Sequence, residues 1–589
     1  MDSLAAGRYT TSMHDLIVRG GTIVDGTGAP AYHGDVAVTD GVITEVGPSV
    51  EGRARRVIDA EGLLVTPGFV DIHTHYDGQA TWDPLLTPSC WHGVTTVVMG
   101  NCGVGFAPVR ASEREWLIGL MEGVEDIPGT ALHAGIRWGW ESFPEYLELL
   151  DAVPHALDVG TQVPHGAIRA YVMGERGADN QPATPEDIAA MARLVLEGLD
   201  AGALGFSTSR TIMHMAVDGR PVPGTFAAED ELFGLGDALR AAGAGVFELA
   251  PAGVMGEDLD APEREMAWMR RLAARTGRPV CFALSQNHQA SQDWQRMLEL
   301  SAQAAAEGAV VRPQVHARTV SLLLGLSTLH PFMFVPSWQE LADRPIREQV
   351  SLLSDPHRRQ RLVTEMAAMG DDPIVAGFMS PTRVFPMGDP PDYEPPPESS
   401  VAAQAAREGV SPWEKLYDLL RSGEGRELLN APVLNYADGS LDPTYEMLAS
   451  PVTAFGLGDG GAHVGQTCDA SSTTFMLTHW VRDRQRGPRL PLELAVHKIT
   501  GATADLYGLG DRGRLRPGLK ADLNLIDFDR LQLRRPELVQ DLPGGARRLV
   551  QRAEGYVATV NAGEVVMAEG EDTGARPGRL VRGARPARG

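Results

Sequence analysis

Apolar strand-length runs alternate with helical stretches across residues 66–509, the two chain ends share a β-rich texture, and one overlong connection precedes the last strand. Together these predict an α/β chain: a (β/α)8 TIM-like barrel with a small β-sandwich built from both chain ends and an insertion before the last barrel strand. At 589 residues the chain exceeds one ordinary core, so a large domain with a second unit is expected.

The elements follow in chain order. Residues 13–65 read as short strands separated by Gly and Asp turns, and 510–572 have the same texture, so these segments are assigned to one sandwich. The barrel is placed at 66–509, with strands ending near His75, Cys102, His165, Ser207, Glu248, Leu284, His316 and Asp459. The interval from His316 to Asp459 is far longer than a βα loop needs. It contains a proline-rich run from Pro386 to Pro397, so 320–450 is expected to hold an inserted subdomain or lid. Residues 573–589, basic from Arg576 to Arg588, are expected to be a flexible tail.

Composition narrows the function classes. Hydrophobic content of 43% and charged content of 22% are those of a soluble globular protein. A net charge of −25 argues against nucleic acid or an anionic membrane as partner. No apolar run is long enough to span a bilayer, and the first dozen residues lack a basic stretch followed by an apolar core, so a cytoplasmic location is expected. Four scattered cysteines do not make a disulfide framework. The oligomeric state is left open, a homo-oligomer included.

Chemistry concentrates at predicted strand ends. In the run from Gly68 to Asp77, His73 and His75 are two residues apart, so strand alternation points both rings to one side, as a two-histidine metal clamp requires. The run precedes a polar loop, at the end of the strand where barrels keep their active sites. A second apolar strand, from Val94, ends in a lone Cys102 among glycines. The bland reading is a small buried hydrophobe, but the position also suits a thiolate metal ligand. In the stretch from Val452 to His463, Asp459 closes the last strand, where a carboxylate can bind metal and accept a proton; the alternative is a residue that merely turns the loop. Gly456–Gly461 matches a dinucleotide-binding pattern, but no βαβ unit follows and that reading is rejected. Arg210 and Arg318 follow strand ends and are candidates to clamp a substrate carboxylate. His165, His214 and His316 lie near strand ends and are candidates to line the pocket.

These segments resemble the amidohydrolase superfamily, most closely its N-acyl-D-amino acid deacylase (D-aminoacylase) branch, over nearly the whole chain. The His-x-His after an apolar strand is characteristic of the superfamily, and Gly100-Asn-Cys-Gly narrows the match to that branch. The resemblance implies a metal site of His73, His75 and Asp459, with Cys102 at or between the metal positions. It also implies an N-acyl amino acid as substrate, of D configuration. Many relatives bridge two metals with a carbamoylated lysine; this chain has only Lys415, Lys498 and Lys520, none within the first seven strands, which agrees with the cysteine variant. The branch also carries histidines at the ends of strands five and six. Here Glu248 stands at the first position, a candidate metal ligand since a carboxylate can replace imidazole on zinc, or else a hydrogen-bonding core residue, and the second lacks a ligand unless His288 folds back. One zinc ion is therefore expected firmly, with a second left open.

The expected reaction is hydrolysis of a non-peptide C–N amide bond in a small molecule. Zinc would activate a water, Asp459 would take its proton, and His165 or His214 would stabilise the oxyanion. The rivals are a hydrolase of a cyclic amide or unusual acyl-amide conjugate, and a non-catalytic binding or scaffold protein that kept the fold.

Overall fold

A computed structural model of the protein describes residues 13–370 and 372–583. The parallel strands predicted for the barrel are Phe69–Asp71, Val94–Met99, Asp158–Thr161 continuing as Val163–Pro164, Gly205–Ser209, Val246–Ala250, Val280–Ala283, Val311–Val315 and Ala454–Phe455. Side chains from six of them, Val70, Val98, Leu204 (just before its strand), Val246, Cys281 and Ala454, form one buried cluster with Ala504, Tyr507 and Leu509. The interior is thus a packed core rather than a pore.

The hydrogen bonding does not run round these strands as one closed sheet, and here the expectation is corrected. The strands form a three-stranded arc (69–71, 94–99, 158–161) and a six-stranded arc (163–164 through 454–455). Among the described residues, the last strand meets the first only through the isolated bridge Thr74–Gly460, reinforced by Asp459 N–H to His73 O (3.0 Å) and His75 N–H to Gly460 O (2.8 Å). The cause is local. Leu457 and Asp459 take positive φ values of 57° and 46°, which bend the chain out of extended geometry after two residues of strand.

The surrounding helices follow ordinary rules. Pro185–Ala201 starts at a capping box, Thr184 with Asp187, has Pro at its first position, stops at Gly202, and turns Met191, Val195 and Leu199 inward at four-residue spacing. The two chain ends meet in a nine-stranded sheet, where Leu64–Pro67 pairs antiparallel with Leu523–Ile526. Leu16, Val18, Val36, Val38, Leu523, Leu525 and Val560 form its core. Between the seventh and eighth parallel strands, Val320–Leu324, Leu429–Leu434 and Phe385–Pro386 form a separate antiparallel sheet. It has its own core, including Leu324, Trp338, Leu362, Met366, Leu416 and Leu420.

The flexible tail expected from residue 573 is not what residues up to 583 show. Strand Asp158–Thr161 has a neighbour on one side only, because the fourth strand pairs with its continuation, Val163–Pro164. The C-terminal segment takes the free edge: Val159 N–H bonds Arg579 O (3.0 Å), Val581 N–H bonds Val159 O (2.7 Å), and Leu580 and Val581 are buried. Residues 584–589 and the stretch before Met13 lie outside the described residues. Among the described residues no helix is long and apolar enough to cross a membrane, and all four cysteines are buried and unpaired.

Candidate metal centre

The first strand stops at Asp71, whose Oδ1 accepts the His73 N–H (3.1 Å). Beyond it the His73 and His75 rings, both buried, lie 5.3 Å apart between centroids. Cys102 follows the second strand with φ 54°, a conformation that a non-glycine residue holds only when its surroundings fix it. Its Sγ is 3.4 Å from His73 Nε2. The ligand atoms of His73, His75 and Cys102 all lie within 4.8 Å of one another. Asp459 Oδ1 approaches the same point, 3.4 Å from His73 Nε2 and 3.5 Å from His75 Nε2.

The other nitrogen of each ring is held from behind. His73 Nδ1 donates to Gln314 Oε1 at 2.9 Å, and His75 Nδ1 faces Glu125 Oε1 at 3.2 Å. The Gln314 acceptor places the His73 proton on Nδ1 and leaves its Nε2 lone pair directed inward, the arrangement a metal-ligating imidazole needs, whereas the Glu125 contact with His75 is an ion pair without hydrogen-bond geometry. Two imidazoles, one thiol and one carboxylate, each from a different strand end except the histidine pair, fit a zinc-like ion by number and donor type.

Burial pushes the pKa of His73 down to about 4. His75 is also buried, but the charges of Glu125 and Asp459 override that and raise it to about 9. Burial opposes ionisation of Asp459 too, yet the His75 hydrogen bond and the neighbouring imidazoles hold it well below the usual carboxylate range. The Cys102 thiol is pushed up by burial and then by Glu248, Glu125 and Asp459, a burden that a bound cation would reverse.

The remaining sequence candidates divide. Glu248 is fully buried beside the cluster; its Oε2 accepts the Cys102 N–H at 2.9 Å, and its Oε1 lies 3.7 Å from His73 Nδ1. His214 is half-buried with Nδ1 on Ser209 Oγ at 2.9 Å, and burial together with His463 and His75 pushes it down to about 3. His316 is fully buried, gives Nδ1–H to Leu457 O, and has no partner at Nε2.

Four candidates are placed otherwise. His165 spends both nitrogens in a buried network, on Thr208 Oγ1 (2.8 Å) and on Glu231 Oε1 (3.0 Å), which also binds Arg169; no donor is left for an oxyanion. Arg210 is tied to Glu265 Oε2 (2.8 Å) and Ala227 O (2.9 Å). Arg318 is fully buried against Asp469 Oδ1 (2.9 Å) and Cys468 O (2.8 Å), with its guanidinium 3.8 Å from the Tyr393 ring centroid. Neither arginine is free to clamp a carboxylate. His288 does not fold back to the cluster; its neighbours are Arg383, Pro432 and Asp438 of the insertion and its flank.

Sequence reading missed Gln314 and Glu125. Gln314 was legible: two residues before His316 along Val311–Val315, strand alternation puts it on the same face. Glu125 was not. It is the last residue of helix Arg114–Glu125, and nothing in the local pattern separates it from a surface carboxylate.

The strand ends bring together a candidate metal group, and the fold that carries it is shared with known proteins. The chain belongs to the amidohydrolase family, whose profile matches residues 56–567. It is 29% identical over 606 residues to an uncharacterized protein of Mycobacterium tuberculosis, covering 96% of this chain and 93% of that protein. It is 27% identical over 574 residues to an N-acyl-D-aspartate deacylase of Alcaligenes xylosoxydans xylosoxydans, covering 96% and 95%. A solved D-aminoacylase structure, described as having a binuclear metal center, superimposes with a TM-score of 0.63 at 25% identity, covering 97% of this chain and all of that one.

Proposed function

We propose that this protein is a metal-dependent hydrolase that removes the acyl group from N-acyl-D-amino acids by cleaving their amide C–N bond. The observation that carries the reading is the convergence of His73, His75, Cys102 and Asp459, with His73 oriented from behind by Gln314 and His75 facing the Glu125 carboxylate. The substrate class is supported by the relatives, an N-acyl-D-aspartate deacylase and a D-aminoacylase among them.

His73, His75 and Cys102 would hold a zinc ion, with Asp459 at its open side. Bound there, zinc supplies Lewis acidity toward a carbonyl and an acidified water. Asp459, kept ionised by its two imidazole neighbours, is placed to take a proton from the attacking water and hand it to the departing nitrogen. His214, neutral and anchored through Ser209, offers its Nε2 at the mouth to the developing oxyanion. Ile212, Met213 and Met215, exposed on either side of His214, give the mouth an apolar rim suited to an acyl chain. With the two arginines engaged, the unpartnered Nε2 of His316, whose proton sits on Nδ1, is left as an acceptor for a substrate N–H.

Asp459→Asn tests this reading. The variant should keep its fold and its metal and lose activity on an N-acyl-D-amino acid panel by about 10²–10⁴-fold. An undiminished rate would remove Asp459 as the base, and hydrolysis of only the L series would overturn the stereochemical assignment.

A further inference from the structure

We propose that Glu248 is the positioning residue of the Cys102 thiolate rather than a metal ligand, and that the chain therefore holds a single ion. The inference rests on the reading that His73, His75 and Cys102 bind metal. Three features of the site carry it.

The loop that presents Cys102 is clamped from two neighbouring strands. Ser207, on the fourth strand, accepts the Gly103 N–H (3.0 Å) and donates to Gly100 O. Glu248, on the fifth, accepts the N–H of Cys102 itself (2.9 Å). Gly103 adopts φ 71°, and a Cβ there would meet Ser209 N at 2.8 Å and Thr208 Cα at 2.9 Å, so the loop lies directly on the fourth strand. Cys102 sits between these clamps at φ 54°, and the Glu248 hydrogen bond is the contact that fixes its amide and hence the direction of its Cβ–Sγ bond.

One oxygen of the carboxylate is engaged as an acceptor, and Oε1 has no hydrogen-bond partner. One oxygen holds the Cys102 amide, and the other faces His73 Nδ1 at 3.7 Å, on the side of the ring away from the inward-pointing Nε2. A ligand to the same ion as His73 would have to approach from the Nε2 side.

Finally, among the described residues the one group of three or more donors close enough to hold an ion is His73, His75 and Cys102. The sixth strand ends at Ala283 and is followed by Leu284 and Ser285; Cys281 belongs to the packed interior with Val70 and Val98; and His288 faces the insertion. Glu248 alone cannot hold another cation against water.

The test uses the full-length protein loaded with Co²⁺, which reports thiolate ligation as a near-ultraviolet charge-transfer band, together with metal equivalents per chain. Wild type should bind one equivalent with the band present. E248Q should do the same, because its amide oxygen accepts the same N–H. E248A should lose the band's intensity and about 10–100-fold in Co²⁺ affinity. C102S should abolish the band; if it persists, Cys102 is not the ligand and the proposal fails. Two equivalents in wild type falling to one in E248Q would make Glu248 a ligand and overturn the inference. Full affinity and an unchanged band in E248A would remove the positioning role. No metal in wild type would instead sink the metal-hydrolase reading beneath it, whatever Glu248 does.

Discussion

Glu125 shows how much of a metal site resides outside its ligands. It is fully buried at the end of a helix, 3.2 Å from His75 Nδ1, and the same carboxylate lies 3.7 Å from His463 Nε2 on the loop that carries Asp459. One side chain thus orients a ligand on the first strand and steadies the loop after the last. Glu125→Gln keeps the shape but weakens the acceptor, and it should lower metal affinity about 10–100-fold in a chelator competition while the circular dichroism spectrum stays native. Unaltered affinity would reduce Glu125 to a helix terminus. At this scale the sequence disclosed residues whose chemistry and spacing coincide, His73 with His75, Cys102 and Asp459. It could not disclose partners brought from far along the chain. Arg210 and Arg318 looked free because Glu265 and Asp469 are invisible as partners until the fold brings them together, and His165 looked like a pocket residue until Thr208 and Glu231 took both its nitrogens.

Elements were legible where periodicity is strong and blurred where backbone strain intervenes. The apolar runs at Val94–Met99, Val246–Ala250 and Val311–Val315 appear where the pattern put them, whereas the last strand shrinks to Ala454–Phe455 because positive φ at Leu457 and Asp459 is not encoded in hydropathy. The overlong seventh connection was visible from its length alone, but that it has its own core was not. Leu416, fully buried in that core, provides a test of whether it is a separate packing unit. Leu416→Ala should destabilise the insertion by about 2–5 kcal/mol, read as an early transition in urea, while metal content remains that of the wild type. Parallel loss of metal in the same transition would show that the insertion and the barrel unfold together.

Over the whole molecule, the parts are joined at Asp158. This buried residue at the start of the third parallel strand binds Arg512 and Lys520 (Nζ at 2.8 Å), and its Oδ1 accepts the Arg579 N–H at 2.9 Å. Arg512 in turn reaches Thr96 on the second strand at 2.9 Å, and Lys520 reaches Asp522 at 2.9 Å and Asn561 in the terminal sheet. Barrel, terminal sheet and C-terminal segment therefore share one carboxylate. Burial would raise its pKa, but Lys520 and Arg512 outweigh that and hold it below its ordinary value of 3.8. A carboxylate depressed in the folded state contributes stability that is complete above the unfolded value and disappears as the pH falls through the folded one. The network should therefore be intact at neutral pH and fail only below about pH 4. Asp158→Asn takes one counter-charge from the buried Arg512 and the half-buried Lys520, which keep Asp511 and Asp522, so it should cost about 1–3 kcal/mol. The urea midpoint at pH 7 should fall accordingly, the C-terminal segment should become a site of proteolytic cleavage, and the drop in stability between pH 5 and pH 3 should be shallower than in wild type. A variant as stable as wild type at pH 7 would mean that the three parts are held together by apolar packing alone, with Asp158 contributing only its backbone.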